Sequence, residues 1–208
     1  MKTKYFTLLL FGLIVFQSCE KDSSDIFEQE YYYYTFNFEK IPLYLLGSQV
    51  FLEFNSIKTN EEIVQFLNKY SYFSDPDPII TSGYKLLRCR INQADTIKLK
   101  EILIVLNQDT AINYAVPVFT FNRKQPSAFS IPNNEIVCEP LISDNSFREL
   151  ISPYNLTILR SMPVDPFYLL KINSIETGFE PLSIANSLYR TGKFDYCTPD
   201  FYASVAPN

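Results

Sequence analysis

The chain has 208 residues, 47% hydrophobic and 16% aromatic, and carries a net charge of −5 with a pI near 4.9. This is a globular composition, and without a basic stripe to neutralise phosphates it argues against a nucleic-acid partner. There is no histidine, which removes Ser-His-Asp and Cys-His nucleophilic sites, His-ligated zinc and the usual general base near neutral pH.

Residues 1–18 read as a signal peptide. Lys2 and Lys4 form a positive n-region, and Tyr5 to Phe16 is apolar but too short to span a bilayer comfortably. The segment closes on Phe16-Gln17-Ser18-Cys19. This resembles a bacterial lipobox, in which the cysteine is acylated and becomes the N-terminus, although Phe16 replaces the usual Leu. The alternative is an ordinary secretory signal with a chance cysteine. With Cys19 lipidated, the chain is expected at the cell envelope as an outer-membrane lipoprotein. Residues 19–30 form a polar tether, and the run Glu20 to Asp25 is similar to the acidic tethers of surface-exposed lipoproteins in Bacteroidetes.

The next segment, Tyr31-Tyr32-Tyr33-Tyr34-Thr35-Phe36, is aromatic and β-prone. It is expected to form a lead-in hairpin, with a turn at Gly47-Ser48 and then a strand over Val50 to Phe54. Four adjacent tyrosines could line a glycan or peptide surface. Alternating strand faces explain them more simply, with one pair inward and the other covering an edge. Asn60 can cap a helix over Glu61 to Tyr70, whose Ile63, Phe66, Leu67 and Tyr70 share one face. A loop at Ser74 to Pro78, a short edge strand at Ile79-Ile80, a strand over Tyr84 to Ile91, a helix over Ala94 to Gln108 and a strand over Ile112 to Phe121 follow. Residues 31–124 are thus the lead-in and a first module.

Residues 125–134, with Pro126 and Pro132, read as a linker. The same order then recurs over 135–204. Glu135 to Leu141 is a strand, and Ser146 caps a helix through Ile151. Two strands, Asn155 to Ser161 and Phe167 to Ile172, flank a Pro163/Pro166 turn. Pro181 opens a helix that Gly192 ends, and Phe194 to Ala203 is the last strand. Tyr114-Ala-Val-Pro117-Val-Phe119 returns as Tyr196-Cys-Thr-Pro199-Asp-Phe201, the sequence mark of a duplicated unit. The expected fold is α+β: two tandem ferredoxin-like βαββαβ modules, antiparallel sheets with helices on one face. Cys89, Cys138 and Cys197 lie in apolar runs and read as buried thiols. Cys138 and Cys197 form the one pair whose strands this fold sets side by side. The cysteines have no metal-binding spacing, so neither metal nor cofactor is expected, and no pair of acids marks a catalytic site.

The stretch from Pro181 to Phe201 carries Ala185-Asn186-Ser-Leu188-Tyr189, Gly192-Lys-Phe194 and Thr198-Pro199-Asp200-Phe201. It resembles the end of the N-terminal pro-region of subtilisin-like serine protease precursors, particularly the lipoprotein-type precursors of Bacteroidetes. The Tyr-rich start and Lys40-Ile41-Pro42-Leu43 agree. In such precursors a catalytic domain follows; here no triad can be assembled. The resemblance implies a non-catalytic inhibitor or folding chaperone, acting in trans on a subtilisin-like protease through the second module. Its docking tail would be Phe201, Tyr202, Ala203, Ser204, Val205, Ala206, Pro207 and Asn208, with 205–208 beyond the module. A split precursor remnant and a cell-envelope glycan- or peptide-binding module are the alternatives.

Overall fold

The computed structural model describes residues 26–74, 79–81, 86–92, 96–124, 128–161 and 167–203. The expectations for the signal peptide, Cys19, the loop around Pro76, the Pro163/Pro166 turn and Ser204 to Asn208 lie outside these residues. In chain order the elements are β1 (Ile26–Tyr34), β2 (Lys40–Phe54), α1 (Asn60–Asn68), β3 (Ile79–Thr81), β4 (Leu86–Arg90), α2 (Thr96–Asn107) and β5 (Ile112–Thr120). The chain continues through β6 (Phe129–Pro140), α3 (Asp144–Ile151), β7 (Leu156–Ser161), β8 (Tyr168–Ile172), α4 (Glu180–Tyr189) and β9 (Phe194–Ala203). This is a mixed α+β chain whose nine described strands form one antiparallel sheet, ordered β3-β4-β2-β5-β6-β8-β7, with β1 beside β2 and β9 beside β6.

Two long strands organise the sheet. One edge of β2 pairs with β5, and its other edge pairs first with β1 and then with β4. Likewise β6 pairs with β9 along one edge, and with β5 and then β8 along the other. A bulge lies at each changeover, between Leu46 and Val50 in β2 and between Pro132 and Ile136 in β6. Bulges bend and twist a strand, so each hub can serve two partners that diverge. The repeated prolines sit at these points: Pro117 pairs with Val50 and Pro199 with Ile136, the first partners after each bulge. Proline brings no N–H to a place where the ladder is already interrupted.

The hydrophobic residues sort into three clusters. The first lies under α1 and α2 and includes Leu52, Phe54, Leu67, Leu99, Leu103 and Phe119. The second lies under α3 and α4 and includes Ile136, Phe147, Leu170, Leu188 and Tyr189. A third, with Phe51, Tyr114, Val116, Val118 and Ile131, buries the opposite face of the first half's sheet.

Strand β1 joins the first two clusters. Tyr31 and Tyr33 pack against the first, and Tyr32 and Tyr34 against the second. The Tyr31 ring meets Phe119 at 5.3 Å and the Tyr33 ring meets Phe201 at 5.1 Å, so each repeat's terminal Phe has one tyrosine partner. On the other side Tyr34 stacks on Tyr189 at 5.0 Å. The buried Asn186 of α4 donates its Nδ2–H to the Tyr32 carbonyl at 2.8 Å, which holds the N-terminal strand to the last helix.

Several local boundaries differ from the sequence expectation. The lead-in turn falls at Thr35 to Glu39 rather than Gly47-Ser48, with left-handed Asn37 and Phe38; Gly47-Ser48 instead lies in the β2 bulge. Thr59, not Asn60, caps α1, in a reciprocal capping box with Glu62. Ser143, not Ser146, caps α3. Residues 129–134, expected within the linker, are the start of β6, where Pro132 is accommodated beside the bulge.

Two side-chain devices seal the first half. Asn107 of α2 both donates to the Ala115 carbonyl at 2.9 Å and accepts from its N–H at 2.7 Å, standing in for a strand neighbour. Its Nδ2 also reaches the Glu176 carbonyl at 3.3 Å in the second half. Nearby, Gly178 has φ +81°, and a Cβ there would lie 2.8 Å from the Ala115 oxygen. Gly192 has φ +70° but open space around it. Gly178→Ala is therefore expected to destabilise more than Gly192→Ala. The latter should cost about 1 kcal/mol for the left-handed conformation alone, both read by urea unfolding.

Asp109 follows α2 and accepts from Lys69 Nζ at 2.5 Å, from the Tyr70 hydroxyl and from the Ala111 N–H at 2.9 Å. Burial opposes its charge, but these donors outweigh it and hold the carboxyl below the usual range. A depressed folded pKa gives stability that is present above the unfolded value, about 4, and is lost as pH falls through the folded value. Asp109→Asn is expected to flatten the acid limb of the stability–pH curve, measured by urea titration across that range.

Candidate functional site

The two halves use their sheets differently. In the first half both faces are buried, one by helices and one by the third cluster. In the second, one face is covered by α3 and α4, while the other presents partly exposed Val137, Leu169 and Tyr196. The register explains this arrangement: Ile136, Cys138, Leu170 and Cys197 point to the helices, so their neighbours Val137, Leu169, Tyr196 and Thr198 face outward. Val137, Arg160, Phe167, Tyr168 and Leu169 line a hollow of about 270 Å³. Phe36, from the turn after β1, stacks on Tyr196 at 4.8 Å and is 48% exposed, and Phe167 meets the same ring at 6.4 Å. The centre of the outer face is thus apolar and aromatic, with Arg160 at the hollow and Glu135, Glu139 and Lys171 along the same strand faces.

The expected docking tail is only partly separate from this sheet. Phe201, Tyr202 and Ala203 are the end of β9 and pair with Pro132, Ile131 and Ser130. Phe201 packs into the first cluster, and Tyr202 lies on Phe51 with ring centroids 5.5 Å apart. A free tail can therefore begin no earlier than Ser204, whose structure, like that of Val205 to Asn208, lies outside the described residues. The four tyrosines are also engaged: Tyr34 is 6% exposed, and each ring of the run contacts another aromatic.

A polar cluster occurs where the two halves meet. Glu53 pairs with Tyr114 across β2 and β5 and accepts from Asn113 Nδ2 at 2.9 Å. Asp200 accepts from Asn133 Nδ2 at 2.7 Å, while Asn133 Oδ1 accepts from the Glu135 N–H at 2.8 Å. Burial raises the Glu135 carboxyl above its ordinary value, and the charges of Asp200 and Glu53 add to the rise, against a smaller opposing effect of Lys171. Burial also raises Tyr114, helped by Glu53 and Tyr202. These four residues are scattered in the sequence. The one local sign was Glu53, a charge within the apolar run Val50-Phe-Leu-Glu-Phe54.

Among the described residues no group of His, Cys, Asp and Glu is arranged to hold a metal ion, and no helix is long and apolar enough to cross a membrane. Cys89, Cys138 and Cys197 are buried free thiols. Cys138 and Cys197 are direct cross-strand partners, and burial raises the Cys197 thiol, with Cys138 adding to it. Antiparallel partners stand at Cα separations compatible with a disulfide, about 4.5–5.5 Å. Because both thiols are fully buried and burial holds Cys197 protonated, diamide is expected to leave Cys89, Cys138 and Cys197 as thiols in the folded chain, with Cys138–Cys197 joining only after denaturant opens the sheet, as read by intact mass and peptide mapping.

No protein-family model matches the chain, and no curated protein matches it. Among solved structures, the small subunit of acetolactate synthase from Thermotoga maritima is similar at 10% identity, over 77% of this chain and 98% of that one, with a TM-score of 0.28. At that score the likeness carries no argument about function.

Proposed function

We propose that this chain is a non-catalytic, lipid-anchored inhibitor or folding chaperone of a subtilisin-like serine protease, docking through the outer face of its second half. The observation that carries the reading is the unequal use of the two halves of the sheet: the first is buried on both faces, while the second leaves an apolar patch partly open. Contiguous apolar surface on a chain this size marks an interaction site. It lies on the half that contains the pro-region-like stretch from Pro181 to Phe201.

The finer architecture belongs to the same proposal. Apart from β1, each half runs strand, helix, strand, strand, helix, strand, with orders β3-β4-β2-β5 and β7-β8-β6-β9. We read these as two ferredoxin-like units, the second of which serves as the docking platform. On this reading Ser204 to Asn208 add backbone hydrogen bonds in the protease cleft as an extra strand. The glycan-binding alternative has less support, since the tyrosine run is packed between the two cores. A split precursor remnant would share the same face and differ only in lacking a partner, so a catalytic domain encoded by the neighbouring gene would separate them.

The test is inhibition of a panel of secreted subtilases by residues 20–208. Nanomolar inhibition is expected, weakened roughly a hundredfold by Leu169→Asp at the centre of the outer face. Ending the chain at Ala203 should weaken inhibition while leaving binding through the face. No binding to any such protease, by a chain shown to be folded, would overturn the proposal.

A further inference from the structure

The polar cluster between the halves has a floor, walls and an unequal charge balance. At the floor lies Tyr114, 1% exposed, whose hydroxyl has no hydrogen-bond partner of normal geometry. It faces Glu53, its cross-strand partner, and Tyr202, which covers the adjacent Phe51. Glu53 stands beside it, and Glu53, Glu135 and Asp200, all partly exposed, are the charged neighbours of Tyr202. The neighbouring cation is Lys171, the cross-strand partner of Glu135. Asn133, itself 3% exposed, orients Asp200 and the Glu135 backbone through its two amide atoms.

An unpartnered buried hydroxyl costs about 1–3 kcal/mol, and crowded carboxylates repel one another. One kind of ligand relieves both penalties: a group that carries positive charge and several N–H donors. A compact metal ion does not suit, because the acids are not close enough together to ligate one. A guanidinium or ammonium on an alkyl chain does suit. Its donors can reach acceptors that stand apart, and its stem can lie on an aromatic ring.

We propose that this junction binds an alkyl-guanidinium or alkyl-ammonium group, with Glu135 and Asp200 carrying the counter-charge, the Tyr114 oxygen accepting at the floor and the Tyr202 ring forming one wall. The Tyr114 hydrogen is then free to point to Glu53. The site adjoins the outer face of the second half, since Glu135 and Lys171 stand two positions from Val137 and Leu169 on the same strand faces, but it uses none of the residues that line the hollow and does not rest on the protease reading. Such a group can come from a basic side chain of a protein or from a free diamine, and the two sources can be told apart.

The experiment titrates the purified chain with N-acetyl-arginine amide, N-acetyl-norleucine amide and putrescine, followed by calorimetry and by the amide shifts of residues 133–135 and 198–202. Saturable binding of at least one cation is expected, with none for the norleucine compound. Preference for the arginine amide assigns the site to a protein side chain, and preference for putrescine assigns it to free diamines. Glu135→Gln and Asp200→Asn should each weaken binding about tenfold. Tyr114→Phe should weaken binding while leaving the thermal midpoint unchanged or higher, a combination that a purely structural role for the hydroxyl does not produce. Absence of saturable binding by either cation, or binding that survives both acid substitutions, would overturn the proposal.

Discussion

The alternation of Tyr31 to Tyr34 between two hydrophobic cores is the contact on which the arrangement of the whole chain depends. A strand turns successive side chains to opposite sides, and β1 uses that period to put Tyr31 and Tyr33 into one core and Tyr32 and Tyr34 into the other. Each ring buries a large apolar area, so moving the strand by one residue would exchange the two pairs and disrupt both cores. This fixes the register of β1 on β2 and, through Tyr33 with Phe201 and Tyr34 with Tyr189, the position of the second half against the first.

The repeated Tyr-x-x-Pro-x-Phe strand acquires a mechanical meaning from the same contacts. Its proline resumes pairing after a bulge in the hub strand, and its phenylalanine meets a tyrosine of β1. Its first residue diverges between copies. Tyr114 is buried at the junction, whereas Tyr196 is partly exposed and stacked under Phe36 on the outer face. The same residue pattern thus supplies a packing element in the first half and a surface element in the second.

Much of this was legible in the residues. The helix period around Ile63, Phe66 and Leu67 announced α1, and Pro181 announced the start of α4. The start of β6 was hidden because Pro132 and two asparagines read as a linker, when a bulge allows them within a strand. Thr59 and Asn60 satisfy the same capping preference, and only the reciprocal bond with Glu62 distinguishes them. Glu53, Tyr114, Glu135 and Asp200 come from four different strands, β2, β5, β6 and β9, and so leave no local pattern. Glu53 was a hint, because a charge at a strand position flanked by core residues needs a polar environment.

The hydrogen bond from Asn186 to the Tyr32 carbonyl spans 154 positions. Such distant contacts form late and slow folding, because the intervening chain must be closed into a loop before the contact repays it. Strand β1 is thus made long before it can be completed, since its partner helix α4 lies in the second half of the chain. Until then Tyr32 and Tyr34 lack the core they pack into, and such aromatic surface invites chaperone binding or aggregation. The tyrosines that lock the finished molecule are thus the residues that most need protection while it is being made.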